Sequence, residues 1–362
     1  MSAGAVGASM LRRLDWDASD EKTRAAWLAV LRPPVEEVDV RPILEAVRRD
    51  GDAVLRELTL RFDGATLEDL WIDESEMVSA ERSVEPALID ALDASIAAVR
   101  RFHADQRDAL RARRIVRTRP GVTAWRCWSP LERVGAYVPG GRAPLASSVI
   151  MVAVPAKLAG VEELVVATPP DRSGRVAPPI LAAARRVGVD RVLRVGGAQA
   201  IAALAYGTES VPAVDRIVGA GNAWVTGAKR AVAADVPIDM PAGPSECVVV
   251  ADDTANPELV ALDLLAQAEH GPDSVALLVT DAVAFAELVE ERLAAIAATL
   301  ATGPTALDTL RRYGGAIVVA DLALAPGISD RIAPEHLSLQ CAAGEDLAER
   351  VRHAGSVFIG PW

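Results

Sequence analysis

The 362 residues hold only four histidines, and two of them stand in segments bounded by proline or glycine. One segment is Leu264-Leu-Ala-Gln-Ala-Glu-His-Gly-Pro272, in which Gln267 and His270 are three apart and share a face of any helix formed there. An imidazole nitrogen and an amide oxygen on one face can act as two ligands of a borderline metal such as zinc, although amide oxygen is an uncommon ligand. The competing reading is a C-capping histidine, because Gly271-Pro272 ends the helix, and spacing alone favours the cap. The other segment is Ala333-Pro-Glu-His-Leu337. Pro334 suits a first helical turn, so the segment is expected to open a helix. The dipole would then favour an ionised Glu335 and a neutral His336, the states needed in two general bases. The competing reading is a first-turn glutamate beside an incidental histidine. His103 and His353 are expected to be structural.

Glycine-rich stretches suggest a second chemistry. Gly135-Ala-Tyr-Val-Pro-Gly-Gly141 runs on to Ala143-Pro-Leu-Ala-Ser-Ser148, and reads as a ligand-approaching backbone or as a plain turn. Val195-Gly-Gly-Ala-Gln-Ala200 and Val218-Gly-Ala-Gly-Asn222 each lead from a strand through glycines into a helix. Free N–H groups at such helix starts suit a pyrophosphate. Neither stretch is the full dinucleotide fingerprint, since Trp224 stands where a third glycine would fall. Gln199 and Asn222 sit where the two helices begin, and for Asn222 capping and ligand contact are equally open. Asp239-Met-Pro-Ala-Gly-Pro-Ser-Glu246 is a rigid loop, either a wall of an interdomain cleft or a plain crossover.

The elements that must position these groups form two textures. Residues 20–32 read as a helix, 41–62 as two short amphipathic helices around Gly51, and 85–114 as one long helix. From Pro130 onward short β-branched runs alternate with alanine-rich helices. Strands are expected at 163–168, 191–195, 215–218, 247–251, 275–279, 316–319 and 356–359. Helices are expected at 179–187, 198–206, 223–234, 257–269, 282–300 and 344–352. This alternation implies βαβ units and parallel sheets, in two runs split near Pro241–Pro244.

Composition narrows the function. Apolar residues make up 51 % and aromatics 4 %, which favours helices packed on sheets over a base-stacking surface. The formal charge is −12, and the chain is read as having no basic run, so a nucleic-acid partner is not expected. No apolar run approaches the roughly 20 residues that cross a bilayer. The first ten residues lack a basic n-region and read as an unstructured start, which makes the cytoplasm the expected compartment. Cys127, Cys247 and Cys341 are odd in number and far apart, excluding a disulfide framework. Cys247 and Cys341 lie in apolar stretches without a neighbouring base, which argues against a cysteine-dependent aldehyde dehydrogenase.

Taken in order, these six segments resemble the histidinol dehydrogenase family, and the likeness runs from the N-terminal helices to Gly360. Its most specific stretch is Gly196-Gly-Ala-Gln-Ala-Ile-Ala-Ala-Leu-Ala-Tyr-Gly-Thr-Glu-Ser-Val-Pro212. The resemblance implies a zinc- and NAD-dependent homodimer that oxidises L-histidinol through a bound aldehyde to L-histidine. It implies two Rossmann-like parallel-sheet domains lacking the usual glycine fingerprint, plus N-terminal helices. The expected division is an N-terminal helical arm at 1–33, a first α/β domain at 34–136 and 245–362, and a second at 137–244. Carried over by motif, Tyr137, Gln199 and Asn222 line the NAD site, and Ser245 contacts substrate. Gln267 and His270 bind zinc, against the capping preference, and Glu335 and His336 are the catalytic bases.

Two departures accompany the likeness. Ala220 replaces a proline usual in the family's turn. In the family, the stretch matching 356–362 is followed by a Gly-Asp-Tyr segment with a zinc-binding aspartate. A tail follows, with a substrate-binding glutamate and a histidine that completes zinc in the partner subunit. The sequence ends at Trp362, so weakened zinc binding, substrate binding and dimerisation are expected. The alternatives are a related dehydrogenase of another small alcohol, or a non-catalytic relic.

Overall fold

The computed structural model describes residues 10–34, 37–111, 114–140, 144–241 and 243–361. Gly141 and Ala143 of the first glycine stretch, Ala242 of the proline-rich loop, the first nine residues and Trp362 lie outside the described residues. The chain opens with β1 (Arg12–Asp15) and α1 (Glu21–Val30). Next come α2 (Arg41–Asp63), β2 (Trp71–Ile72), α3 (Glu74–Ser83), α4 (Pro86–Arg111), β3 (Val116–Arg119) and β4 (Val122–Ala124). They lead into β5 (Arg133–Tyr137), α5 (Ala146–Ala159), β6 (Glu163–Ala167), α6 (Pro178–Val187), β7 (Arg191–Leu193), α7 (Gly197–Tyr206), β8 (Arg216–Val218) and α8 (Ala223–Val232). The last third is β9 (Glu246–Ala251), α9 (Pro257–Ala268), β10 (Val275–Thr280), α10 (Val283–Ala297), α11 (Gly303–Tyr313), β11 (Gly314–Val318), α12 (Ala325–Ile332), β12 (His336–Gln340), α13 (Gly344–Ala348) and β13 (Ser356–Ile359). Among the described residues no helix is long and apolar enough to cross a membrane.

Two compact units result, Glu36–Ala242 and Met1–Val35 with Gly243–Trp362. The first is built on a sheet ordered β2-β7-β6-β5-β8, parallel except for the short edge strand β2. Counted from β5, its parallel strands run 3-2-1-4, the order of a Rossmann half. Both faces are covered, as a parallel sheet requires. Along β6, Val165 and Ala167 face a core shared with α2, α7 and α8, while Leu164 and Val166 face one shared with α4, α5 and α6. The two helical pieces expected around Gly51 are present. The break falls at that glycine, at φ 53 and ψ −131, where an added Cβ would meet the Glu209 carboxylate 2.1 Å away.

The second unit carries an all-parallel sheet ordered β1-β11-β10-β9-β12-β13. Counted from β9 it runs 3-2-1-4-5, with β1 added outside. Cys247 and Val249 of β9 face α9, α10 and α11, and Val248 and Val250 face the opposite core with Leu337 and Leu347.

The expected division of the chain is corrected in two places. Residues 37–136 do not group with 245–362. Leu44, Leu55 and Leu58 of α2 share a core with Ile201 and Leu204, and Leu92 and Ile96 of α4 share one with Val149 and Ile150. Nor is the first segment a separate helical arm. Its β1 pairs with β11, Arg12 opposite Gly315 and Leu14 opposite Ile317, and Leu11 and Leu14 are buried in that unit's cores. The crossover between units falls inside the proline-rich loop, between residues 242 and 243.

Candidate active site

The register of the six-stranded sheet brings four strand starts to one edge. Val275 opposes Glu246, and His336 opposes both Cys247 and Ser356. Ser245 stands just before β9, and its carbonyl accepts from Val275 N at 3.0 Å. Its hydroxyl donates to Glu335 Oε2 at 2.5 Å. The Glu335 carbonyl in turn accepts from Ser356 N at 2.9 Å. Gly355 makes this approach possible, since a Cβ there would lie 2.7 Å from the Glu335 carbonyl oxygen. Glu335 is exposed, and His336 is half-buried with its ring centroid 6.0 Å from that of Phe358.

The helix expected to begin at Pro334 is replaced by a strand. The preceding α12 ends at Ile332, and Ala333 turns the chain with φ 55 and ψ 57. It is the one non-glycine residue with positive φ among the described residues. That conformation costs about 1 kcal/mol or more for an L-residue, and it throws the chain from α12 into β12. From there Leu337 and Leu339 enter the core while Ser338 and Gln340 face the other side, a period of two. No helix N-terminus therefore acts on Glu335 and His336. Glu246 joins the same edge, a residue the sequence did not single out. Burial pushes its carboxyl upward, opposed by Arg32 and reinforced by Glu335.

The helix α9 delivers the metal candidates to this edge, because it ends just before β10. Gln267 is buried, and its Nε2 has no hydrogen-bond partner. His270 is exposed, with Nδ1 2.7 Å from the Ala266 carbonyl. That contact serves as a C-terminal cap. Because a carbonyl can only accept, Nδ1 is the donor in this contact, and Nε2 is the nitrogen that would face a metal, as in metal-bound histidines. An unsatisfied buried amide in the last turn of α9 and such an imidazole just past its end fit part of a zinc shell, the amide oxygen and nitrogen being interchangeable by rotation. Among the described residues no group of three or more His, Cys, Asp or Glu is gathered as a metal cage.

A third member of that helix face was missed in the sequence. Asp263 lies four residues before Gln267, so it shares the face. Its Oδ2 accepts from Gln340 Nε2 at 2.7 Å and from Ser338 Oγ at 3.1 Å, joining α9 to β12. Cys247 is buried and its thiol is pushed up to about 12, while burial also raises that of Cys341. Neither is set up as a thiolate nucleophile.

The other group of candidates stands at the carboxyl edge of the five-stranded sheet, where Rossmann-type sheets receive ligands. Tyr137 ends β5, is buried, and accepts from Gly197 N at 3.1 Å; burial raises its phenol. Gln199 lies buried in the first turn of α7. Asn222 caps α8, its side chain accepting from Val225 N at 3.1 Å, so the capping role is filled. Gly219 has φ 107, and a Cβ there would lie 2.1 Å from the Tyr137 carbonyl oxygen. Asp239 accepts from Gly219 N at 2.7 Å, and buried Lys229 pairs with Asp239 and donates to the Gly219 carbonyl at 2.6 Å. This clamp on the β8–α8 turn was not legible in the sequence. Nor was Thr168, just past β6, whose fully buried Oγ1 has no hydrogen-bond partner. Tight glycine turns and an unsatisfied hydroxyl at the ends of strands 1 to 4 fit a dinucleotide.

Two parallel sheets in Rossmann order, with glycine turns at one sheet's carboxyl edge and a Ser–Glu–His group at the other's amino edge, define a two-domain α/β protein of dehydrogenase type. Comparison with known proteins makes the class specific. The family model for histidinol dehydrogenase matches residues 33–362. A histidinol dehydrogenase from Rhodospirillum rubrum is 46 % identical over 93 % of the chain and 78 % of its own length. One from Methanothermobacter thermautotrophicus is 42 % identical over 89 % of the chain and 75 % of its own. The crystal structure of histidinol dehydrogenase from Elizabethkingia anophelis superposes with a TM-score of 0.91 at 35 % identity, covering 97 % of this chain and 81 % of that one. The chain belongs to the histidinol dehydrogenase family.

Proposed function

We propose that the chain oxidises L-histidinol through a bound aldehyde to L-histidine, as a zinc- and NAD-dependent homodimer of the cytoplasm. The observation that carries this reading is the convergence of Ser245, Glu335 and His336 with the end of α9 on one sheet edge. When bound, NAD supplies the hydride acceptor for each oxidation, and zinc held in part by Gln267 and His270 supplies a positive charge that orients substrate.

The chain's own residues then divide the proton work. His336 takes the proton of the substrate hydroxyl in the alcohol step. Glu335 takes a proton from the water that adds to the aldehyde, and His336 takes the proton of the resulting diol. Ser245 touches substrate and steers the Glu335 carboxylate through its hydrogen bond. Tyr137, Gln199 and Asn222 line the NAD site at the carboxyl edge of the other sheet, over the glycine turns.

The test is the stoichiometry of NADH formed from L-histidinol by the full chain supplied with zinc and NAD. Two NADH per substrate, with no aldehyde released to a trapping reagent, is the expected result. Reduction of NAD by other amino alcohols but not by histidinol would transfer the reading to a related dehydrogenase.

A further inference from the structure

Charge in this chain lies almost wholly at the surface. Seven arginines fall between Arg107 and Arg126, which corrects the expectation of no basic run, and those described are exposed or half-buried. Lys229 is the opposite case. At 2 % exposure it is the one buried charged residue among those described. A buried charge is destabilising unless it is paired and hydrogen-bonded, and an apolar pair of the same volume is often as stable. Stability alone does not call for such a pair, so what it holds in place is informative.

Both partners of the pair meet at Gly219. Asp239 accepts from Gly219 N at 2.7 Å, and Lys229 Nζ donates to the Gly219 carbonyl at 2.6 Å while pairing with Asp239. One ion pair thus occupies both polar groups of a single residue. Its two arms come from different elements. Lys229 stands seven residues after Asn222 on α8, and its side chain reaches back toward the start of that helix, the direction in which helical side chains lean. Asp239 is tied by its backbone to β8. Ile217 N donates to the Pro237 carbonyl at 3.0 Å, and Asp239 N donates to the Ile217 carbonyl at 3.1 Å. A longer bond of 3.5 Å from Lys229 Nζ to the Met240 carbonyl holds the next residue as well.

What is fixed is the turn from β8 into α8. Gly219 lies against the Tyr137 carbonyl with φ 107. A glycine can turn its peptide at little steric cost, so hydrogen bonds must choose the orientation. Three residues further stands Asn222, and the N–H groups of Ala223 and Trp224 then open α8 with no partner inside the helix. A Gly219 peptide free to rotate would re-aim the chain that leads to Asn222.

We propose that the buried Lys229–Asp239 pair is a positioning device for the dinucleotide, holding the Gly219 peptide so that the turn from Gly219 to Asn222 is set before the cofactor arrives. This rests on the reading of Tyr137, Gln199 and Asn222 as the NAD site. Lys229 and Asp239 act through the turn, and the cost of ordering it is met in folding and not in binding. The competing role is purely structural, a tie between α8 and the segment beside β8.

The test is titration calorimetry of the full chain with NAD, beside thermal unfolding of the same proteins without it. Lys229→Met combined with Asp239→Asn removes both charges and keeps an acceptor for Gly219 N, but takes the donor from the Gly219 carbonyl. Its Kd for NAD should be weaker by about tenfold or more. Asp239→Asn alone keeps both bonds to Gly219, and its Kd should stay within about threefold of the parent's. Stability should run the other way, because the single variant leaves a buried ammonium without its counter-ion and should melt below the double variant. A parent that binds no NAD sinks the NAD reading and the positioning role together. A parent that binds NAD, with a double variant that binds it as tightly, sinks the positioning role alone. So does an affinity that merely follows melting temperature across the three proteins. Hydrogen exchange of the parent needs no substitution: the Gly219 amide should be protected in the ligand-free chain and remain so with NAD. An amide that exchanges freely until NAD is added means that the cofactor sets the turn, and overturns the proposal.

Discussion

Ser245 and Glu335, 90 residues apart in sequence, share a 2.5 Å hydrogen bond at the amino edge of the six-stranded sheet. The bond exists because β9 and β12 are neighbours in register and both residues immediately precede their strands. In the proposed mechanism the serine is thus more than a substrate contact, since its hydroxyl fixes where the glutamate carboxylate points. Ser245→Ala should lower aldehyde oxidation by about 10- to 100-fold, the worth of a hydrogen bond to a charged group. Alcohol oxidation should suffer less. Measuring the two half-reactions separately checks this, and equal losses in both would reduce Ser245 to a binding residue.

Glu335 and His336 are adjacent but serve different protons in the proposed mechanism. Glu335→Gln should mainly damage aldehyde oxidation, because only that half needs activated water. His336→Ala should damage both halves, because both require a proton to leave an oxygen. Each loss should fall around 10²–10⁴-fold, as for a general base. Steady-state rates with histidinol and with the aldehyde decide it; a Glu335→Gln variant equally poor in both would contradict the division.

The legible parts of this chain were those set by local chemistry. The glycine break in α2, the Asn222 cap and the alternation of strands with alanine-rich helices follow from residue type and spacing. What failed were decisions settled by distant partners. Pro334 is as compatible with entering a strand as with opening a helix, and burial of Leu337 and Leu339 against Val248 and Val250 decided for the strand. The helices α2 to α4 announce an apolar face but not which sheet will cover it. Four residues of β1 carry too little pattern to show as a strand, and the Lys229–Asp239 clamp joins two positions that no motif connects.

Asp263 gives a test of how far the site depends on the junction between α9 and β12. Asp263→Ala leaves Ser338 Oγ without its acceptor and Gln340 Nε2 with only its 3.3 Å bond to Ser338 Oγ, in a nearly buried setting. The cost should be about 2–4 kcal/mol. Asp263→Asn keeps one acceptor and should recover part of it. Urea unfolding of the three proteins at one pH is the measurement, and a variant as stable as the parent would show that the contact carries nothing.

Asp63 yields a prediction whose sign can be worked out. It ends α2 half-buried, with Oδ2 out of contact with water and without a hydrogen-bond partner. Burial pushes its carboxyl up from 3.8 to about 6. The folded state then binds this proton more tightly than the unfolded chain, so folding is penalised once the group must ionise. The penalty is absent below pH 3.8, grows between 3.8 and about 6, and is constant above that. Because the residue is only half-buried, solvent screening holds it to about 1 kcal/mol. Asp63→Asn should therefore raise the stability of the ligand-free chain at pH 7.5 by that amount, about 2–4 °C in Tm for a unit of this size. The gain should shrink at pH 5 and be nearly gone at pH 4. A gain that is equal at pH 4 and pH 7.5 would mean that packing, and not the buried charge, sets the energy at this position.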